Sequence, residues 1–297
     1  MTGIWKAGKY ELEMGARTYI MGILNVTPDS FSDGGVWMDE QKAIAHALEM
    51  QAQGADIIDI GGQSTRPGHI PVTAEEELAR VLPVVKALAQ ALTVPVSVDT
   101  YYPLVAREAM QAGASIINDV SGVIVLEMAQ VVAESGAGWI VMHTGAEFTA
   151  DSETVAEQLK ELMHSREMHA CREYPDGIAG DVRDFFEKAY LSATSLGILP
   201  EQLCFDTGIG FGKSYIQNLD LLRDTHIARL ASRPLLVGVS RKRFIGEAVK
   251  EADPLKRLAG TIAANTAAIA GGADILRVHD VAQNVQAAQV ADAIYRR

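Results

Sequence analysis

The chain has 297 residues, a formal net charge of −12, 48% hydrophobic residues and only 6% aromatics. This length suits one large α/β barrel or two ordinary domains with an aliphatic core, and the acidic balance argues against bulk nucleic-acid binding, which needs clustered Lys and Arg. Two cysteines, Cys171 and Cys204, without C-x-x-C spacing exclude a disulfide framework and a zinc ribbon and fit a reducing cytosol.

In chain order, the apolar run 19–26 predicts a buried strand. It empties into Asn25-Val-Thr-Pro-Asp-Ser-Phe-Ser-Asp-Gly-Gly35, a Pro-, Gly- and Asp-rich loop of the kind in which rigid scaffolds place function. An Asx-capped surface turn is the plainer alternative. Further strands are expected at 55–60, 95–99, 115–119, 138–143, 203–206, 234–239 and 274–279. Helical stretches follow at 39–53, 73–91, 102–112, 125–136, 153–196, 216–231, 257–271 and 282–295. Gly54-Ala55, Gly113-Ala114, Gly136-Ala137 and Gly272-Ala273 precede strands, where a Gly supplies a left-handed helix cap.

Eight strand–helix units with strands apolar on both faces point to the α/β class and a single (β/α)8 TIM-barrel domain over 1–297. An open doubly wound sheet would carry a G-x-G-x-x-G turn after the first strand, and none is there. The segment 144–196 exceeds one turn plus one helix and predicts an insertion or an extended helix.

In such a barrel the site lies at the C-terminal strand ends. Those ends carry Asn25, Asp59 running into Gln63-Ser-Thr-Arg66, Asp99, Asn118-Asp119, Met142-His143, Asp206, Ser240-Arg-Lys242 and Arg277-Val-His279. Barrel packing alone does not require an amide or a charge at every strand end. Asp99, Asn118, Asp206 and Lys242 would read the edge of an amino- and amide-bearing heterocycle. Asn25, Arg66, Arg277 and His279 would face an anion, with Asn25 able to complete a Mg²⁺ shell.

These motifs, with Asp59-Ile-Gly-Gly-Gln-Ser-Thr-Arg-Pro-Gly68, Asp206-Thr-Gly-Ile-Gly-Phe-Gly-Lys213 and Ser240-Arg-Lys-Arg-Phe244, resemble the dihydropteroate synthase family in order and spacing over nearly the whole chain. The resemblance implies joining 6-hydroxymethyl-7,8-dihydropterin diphosphate to 4-aminobenzoate. It implies that Asp99, Asn118, Asp206 and Lys242 hold the pterin, with Met142 lining its slot. It assigns Asn25 to Mg²⁺ on the diphosphate, Arg277 and His279 to the anion, and Phe211, Lys242 and the Arg243 backbone to the aminobenzoate. Phe31, Asp33, Thr65, Arg66 and Pro67 would come in on two closing loops. A homodimer through the last two helices is also implied.

Gln63 stands where the family has Glu, Thr207 where it has Pro, and Thr144-Gly-Ala-Glu-Phe148 replaces the usual rim. A pterin-dependent methyltransferase and a non-catalytic pterin-binding protein are the rival readings. His143 is expected to be structural, His46, His164, His169 and His226 solvated, and Lys213 behind the site or at the surface. The Glu75-Glu76-Glu77 run is read as helix-dipole complementarity. No apolar run nears the roughly 18 residues of a membrane span, and the start of the chain lacks a signal-peptide core. The expected setting is the cytoplasm, with no nucleic-acid or membrane partner.

Overall fold

Short β-branched runs become parallel strands that close on themselves. The computed structural model describes residues 3–26, 36–63, 72–144, 177–230 and 233–296. The barrel strands are β3 (Tyr19–Asn25), β4 (Ile57–Gly61), β5 (Val96–Asp99), β6 (Ile116–Asp119), β7 (Gly138–Met142), β8 (Leu203–Asp206), β9 (Leu235–Val237) and β10 (Ile275–Val278). They close in the order β10-β3-β4-β5-β6-β7-β8-β9. Strands β4 to β9 are buried at every position, as a parallel sheet covered by helices requires. The eight expected strands are all present.

The helices are α1 (Val36–Ala52), α2 (Ala74–Ala91), α3 (Pro103–Gln111), α4 (Leu126–Ser135), α5 (Gly177–Ser195), α6 (Tyr215–Arg223), α7 (Thr225–Ala228), α8 (Arg243–Val249), α9 (Leu258–Ala270) and α10 (Val281–Tyr295). Local chemistry sets their ends. Thr73 and Glu76 form a reciprocal capping box on α2. Gly136 ends α4 in the left-handed region at φ 68°. The single helix expected over 216–231 is two, because Asp224 at φ −104° and ψ 22° breaks it. Helix α8 had no counterpart in the sequence reading. Of the long segment before residue 196, the described part is α5; residues 145–176 lie outside the described residues.

Two strands escaped the sequence reading. β1 (Gly3–Ala7) and β2 (Tyr10–Met14) form an antiparallel hairpin, Gly3 opposite Met14 and Ala7 opposite Tyr10. Charged Lys6, Glu11 and Glu13 dilute its apolar signal, but Trp5, Ala7 and Met14 are buried. Trp5 packs in one cluster with Met21, Ile57, Ile116, Ile140, Cys204, Leu236 and Ile275. These line the lower barrel interior, and the hairpin stops its N-terminal end. A Cβ on Gly138 would sit 3.0 Å from the Trp5 ring, so a glycine is what lets the indole lie against β7. The indole N–H donates to the Gln202 carbonyl at 3.0 Å.

Strand periodicity then builds the site. Side chains two apart face the same way, so the row holding Ile57 continues to Asp59, Ile116 to Asn118, Cys204 to Asp206 and Ile275 to Arg277. The same inward row is apolar at the floor and polar at the mouth. Register aligns the tops: Asn25 lies beside Gly61, Gly61 beside Asp99, and Asp99 beside Asn118.

Candidate active site

Asp59 is the hub of the mouth. It is fully buried and accepts hydrogen bonds from Ser97 Oγ at 2.6 Å and Asn118 Nδ2 at 3.0 Å. Arg277 bridges Asp59 and Asp99, with Nε and Nη2 each 2.6 Å from a carboxylate oxygen. Burial opposes the Arg277 charge, yet Asp59 and Asp99 together raise its pKa. Burial raises Asp99, Arg277 opposes, and Asp59, Asp119 and Asp206 add to the rise. A charge in the middle of a β-branched strand was the sequence signal for Asp59, which the residue assignments passed over.

Asp206 is buried, and its Oδ1 accepts the Gly208 N–H at 2.8 Å. Burial raises its pKa against the pull of Lys242. Lys242 donates to the Ile209 carbonyl and lies 4.6 Å from the Phe211 ring centre, a cation–π distance. Burial lowers its pKa to about 8. Asn118 Oδ1 is buried with no hydrogen-bond partner; its carboxamide has an acceptor to spare. Met142 is buried beside Asp206 in the register. Arg243 opens α8 and is exposed.

The last two strand ends brace each other. His279 Nδ1 and Ser240 Oγ are 2.9 Å apart, and Arg241 holds Asp280 at 3.0 and 2.5 Å. Arg241 adopts a left-handed φ of 60°, unfavourable for a non-glycine residue, and this turns the chain so that Lys242 reaches the loop after β8. A cavity of about 490 Å³ flanks these strand ends on their helix side, lined by Asn25, His46, Gln53, Arg241, His279 and Gln283 among others; Asp99, Asn118, Asp206, Lys242 and Arg277 do not line it. The structure thus brings together Asn25, Asp99, Asn118, Met142, Asp206, Phe211, Lys242, Arg243, Arg277 and His279 at one end of the barrel. Phe31, Asp33, Thr65, Arg66 and Pro67 lie outside the described residues.

Other side chains can be set against the sequence reading one by one. Lys213 takes the first of its two expected places, behind the site: it is 1% exposed and donates to three carbonyls. Burial lowers its pKa to about 7, with Asp206 opposing. Glu77 lies in the helix's first turn, as the dipole reading has it, but unlike Glu75 and Glu76 it is fully buried. Burial pushes its carboxyl up to about 8, against Thr100 and Arg80. His143 fits its structural reading: it is buried, with Nε2 3.0 Å from Asp181, and burial lowers its pKa to about 4. His46 and His226 are exposed as expected; His164 and His169 lie outside the described residues. Gln63 is buried and lies against Tyr101. Thr207 supplies an N–H to the Leu236 carbonyl at 3.3 Å, a bond proline could not make.

A closed parallel barrel whose mouth gathers carboxylates, an amide and cations defines a small-molecule enzyme. Residues 21–279 match the family described as pterin binding enzyme, and the chain belongs to that family. Within it the chain stands with the dihydropteroate synthases, which are transferases. The dihydropteroate synthase of Synechocystis is 45% identical over 97% of this chain and 94% of its own, and that of Escherichia coli 41% over 93% and 91%. Among solved structures, the Clostridium difficile dihydropteroate synthase, determined with pteroic acid, is 44% identical with a TM-score of 0.83, covering 96% of this chain and 99% of its own. The Xanthomonas albilineans dihydropteroate synthase with 4-aminobenzoic acid is 37% identical with a TM-score of 0.85, covering 99% and 98%.

Proposed function

We infer that the chain condenses 6-hydroxymethyl-7,8-dihydropterin diphosphate with 4-aminobenzoate, giving 7,8-dihydropteroate and diphosphate in folate biosynthesis. The observation that carries this reading is the arrangement of Asp99, Asn118 and Asp206 at one barrel mouth with Asn25, Arg277 and His279 at the adjoining strand ends. The first group suits a pterin edge and the second a leaving diphosphate. A pterin-dependent methyltransferase or a non-catalytic pterin binder would need only the first.

The residues divide the work by charge. Asp99, Asn118, Asp206 and Lys242 hold the pterin ring, with Met142 along its slot. Arg277 and His279 take up negative charge as the methylene–oxygen bond breaks and diphosphate leaves. The buried carboxylates of Asp99 and Asp206 steady the cation left on the pterin methylene. The aromatic amine of aminobenzoate, bordered by Phe211, Lys242 and the Arg243 backbone, attacks that carbon and then loses a proton. Phe31, Asp33, Thr65, Arg66 and Pro67 shield the cation from water.

Among the described residues no group of three His, Cys, Asp or Glu side chains could hold a metal. A single amide oxygen from Asn25 fits Mg²⁺, which keeps most of its waters and binds through substrate phosphates. Mg²⁺ bound there would supply positive charge to the leaving diphosphate.

The exposed Val290, Ile294 and Tyr295 on α10 suit a homodimer. Among the described residues no helix is long and apolar enough to cross a membrane; the reading is of a cytoplasmic enzyme acting on small molecules, with no nucleic-acid or membrane partner. The test is purified protein with pterin diphosphate, 4-aminobenzoate and Mg²⁺, assayed for pteroate. Diphosphate released only when both substrates are present supports the synthase reading; pterin binding without turnover removes it.

A further inference from the structure

The loop from Asp206 to Lys213 contains three glycines in the left-handed region, Gly208, Gly210 and Gly212, at φ 61°, 86° and 57°. Three such residues in a row of five leave a chain with little intrinsic shape, yet this loop carries Phe211. What fixes it is a lysine. Lys213 Nζ donates to the carbonyls of His143 at 3.1 Å, Gly208 at 2.9 Å and Phe211 at 3.1 Å. An ammonium has three N–H donors and here meets three acceptors. Gly208 lies so close to β7 that a Cβ would fall 1.8 Å from the His143 oxygen. The loop is therefore drawn onto the end of β7 and held there from behind.

The same loop has a second lysine on its open side. Lys242 donates to the Ile209 carbonyl and covers the Phe211 ring. It is part-exposed at the mouth, whereas Lys213 is 1% exposed. Asn218, on α6, secures the remaining backbone by accepting from Gly210 N at 2.6 Å and donating to the Lys213 and Ser214 carbonyls. With the inner lysine and Asn218 in place, Lys242 can leave Ile209 for a substrate without releasing the loop.

We propose that Lys213 is a positioning residue for the aminobenzoate half of the site: by gathering three backbone carbonyls it fixes the loop that presents Phe211. This rests on the synthase reading. Lys213 touches no substrate and acts through Phe211 and the loop backbone.

The test is steady-state kinetics on Lys213→Met, which keeps the apolar stem and removes the donors. The KM for 4-aminobenzoate rises by about tenfold or more, since an aromatic contact worth about 1.4 kcal/mol is a factor of ten in affinity, while the KM for pterin diphosphate stays within about twofold. Phe211→Ala also raises the aminobenzoate KM, and adding Lys213→Met to it raises that KM by less than about threefold, because both act through one contact. Hydrogen exchange over 207–213 speeds up in Lys213→Met. Lys213→Gln replaces Lys213→Met if the latter fails to fold. An unchanged aminobenzoate KM in a folded variant, equal rises in both KM values, or full additivity with Phe211→Ala overturns the proposal. A parent protein that makes no pteroate overturns instead the reading beneath it.

Discussion

Asp206 serves the backbone as well as the site. Its Oδ1 caps Gly208 while its position beside Met142 turns it to the mouth. Asp206→Ala is expected to lower pterin affinity by about a hundredfold, the loss of two hydrogen bonds to a charged group. Asp206→Asn keeps the Gly208 acceptor and recovers part of it. Titration calorimetry with a pterin decides, and parental affinity in the alanine variant would remove the assignment. Asp206, Asp99 and Asn118 were legible in the sequence because a polar residue ending a β-branched run has few places to go in a barrel. For Asp59 and Lys213 the position was legible but the role was not, because it depends on distant partners. Asp59 meets Ser97, Asn118 and Arg277, and Lys213 meets a carbonyl seventy residues away in the chain. Arg277 also gains a meaning that its motif did not carry. It pairs with Asp99 as well as facing the anion region, so its removal disturbs the pterin carboxylate too.

At the scale of elements, all eight barrel strands were readable from apolar runs, and helix ends from Gly and Thr. The β1–β2 hairpin was not, since five-residue strands carrying Lys6, Glu11 and Glu13 give no run long enough to stand out. Only the barrel's lower opening makes sense of Trp5. Trp5→Ala should cost about 3–5 kcal/mol of stability, as for other buried large-to-small changes, and also loses the bond to the Gln202 carbonyl. Because the floor lies at the opposite end from the site, kcat/KM per folded molecule should hold within about twofold. Urea unfolding and kinetics on the same preparation check both; a large fall in kcat/KM with unchanged stability would reverse the assignment.

For the whole molecule, the buried Glu77 sets a pH dependence of opposite sign to that of a salt-bridged acid. Its folded pKa, about 8, lies above its ordinary value of 4.5. Between those values the native state holds a proton that the unfolded chain gives up, so stability falls as pH rises from about 5 to 8. Glu77→Gln removes this slope, and the stability of the parent relative to the variant should decline by on the order of a few kcal/mol across that range. Urea midpoints at several pH values measure it, and a flat difference would show that Glu77 is ionised in the fold. Assembly is tested by Ile294→Asp, which should convert a dimer to a monomer in sedimentation if α10 forms the interface; a chain already monomeric removes the homodimer reading. The plugged floor has one more effect. With the interior below the site packed by Met21, Ile57, Ile116, Ile140, Cys204, Leu236 and Ile275 and closed off by Trp5, the barrel is a blind alley: ligands enter and leave by the same doorway. Asp99, Asn118 and Asp206 are buried while Phe211 and Arg243 are nearer the opening. On the proposed reading the pterin seats below the aminobenzoate, so the expected order is pterin diphosphate first, checked by product-inhibition kinetics.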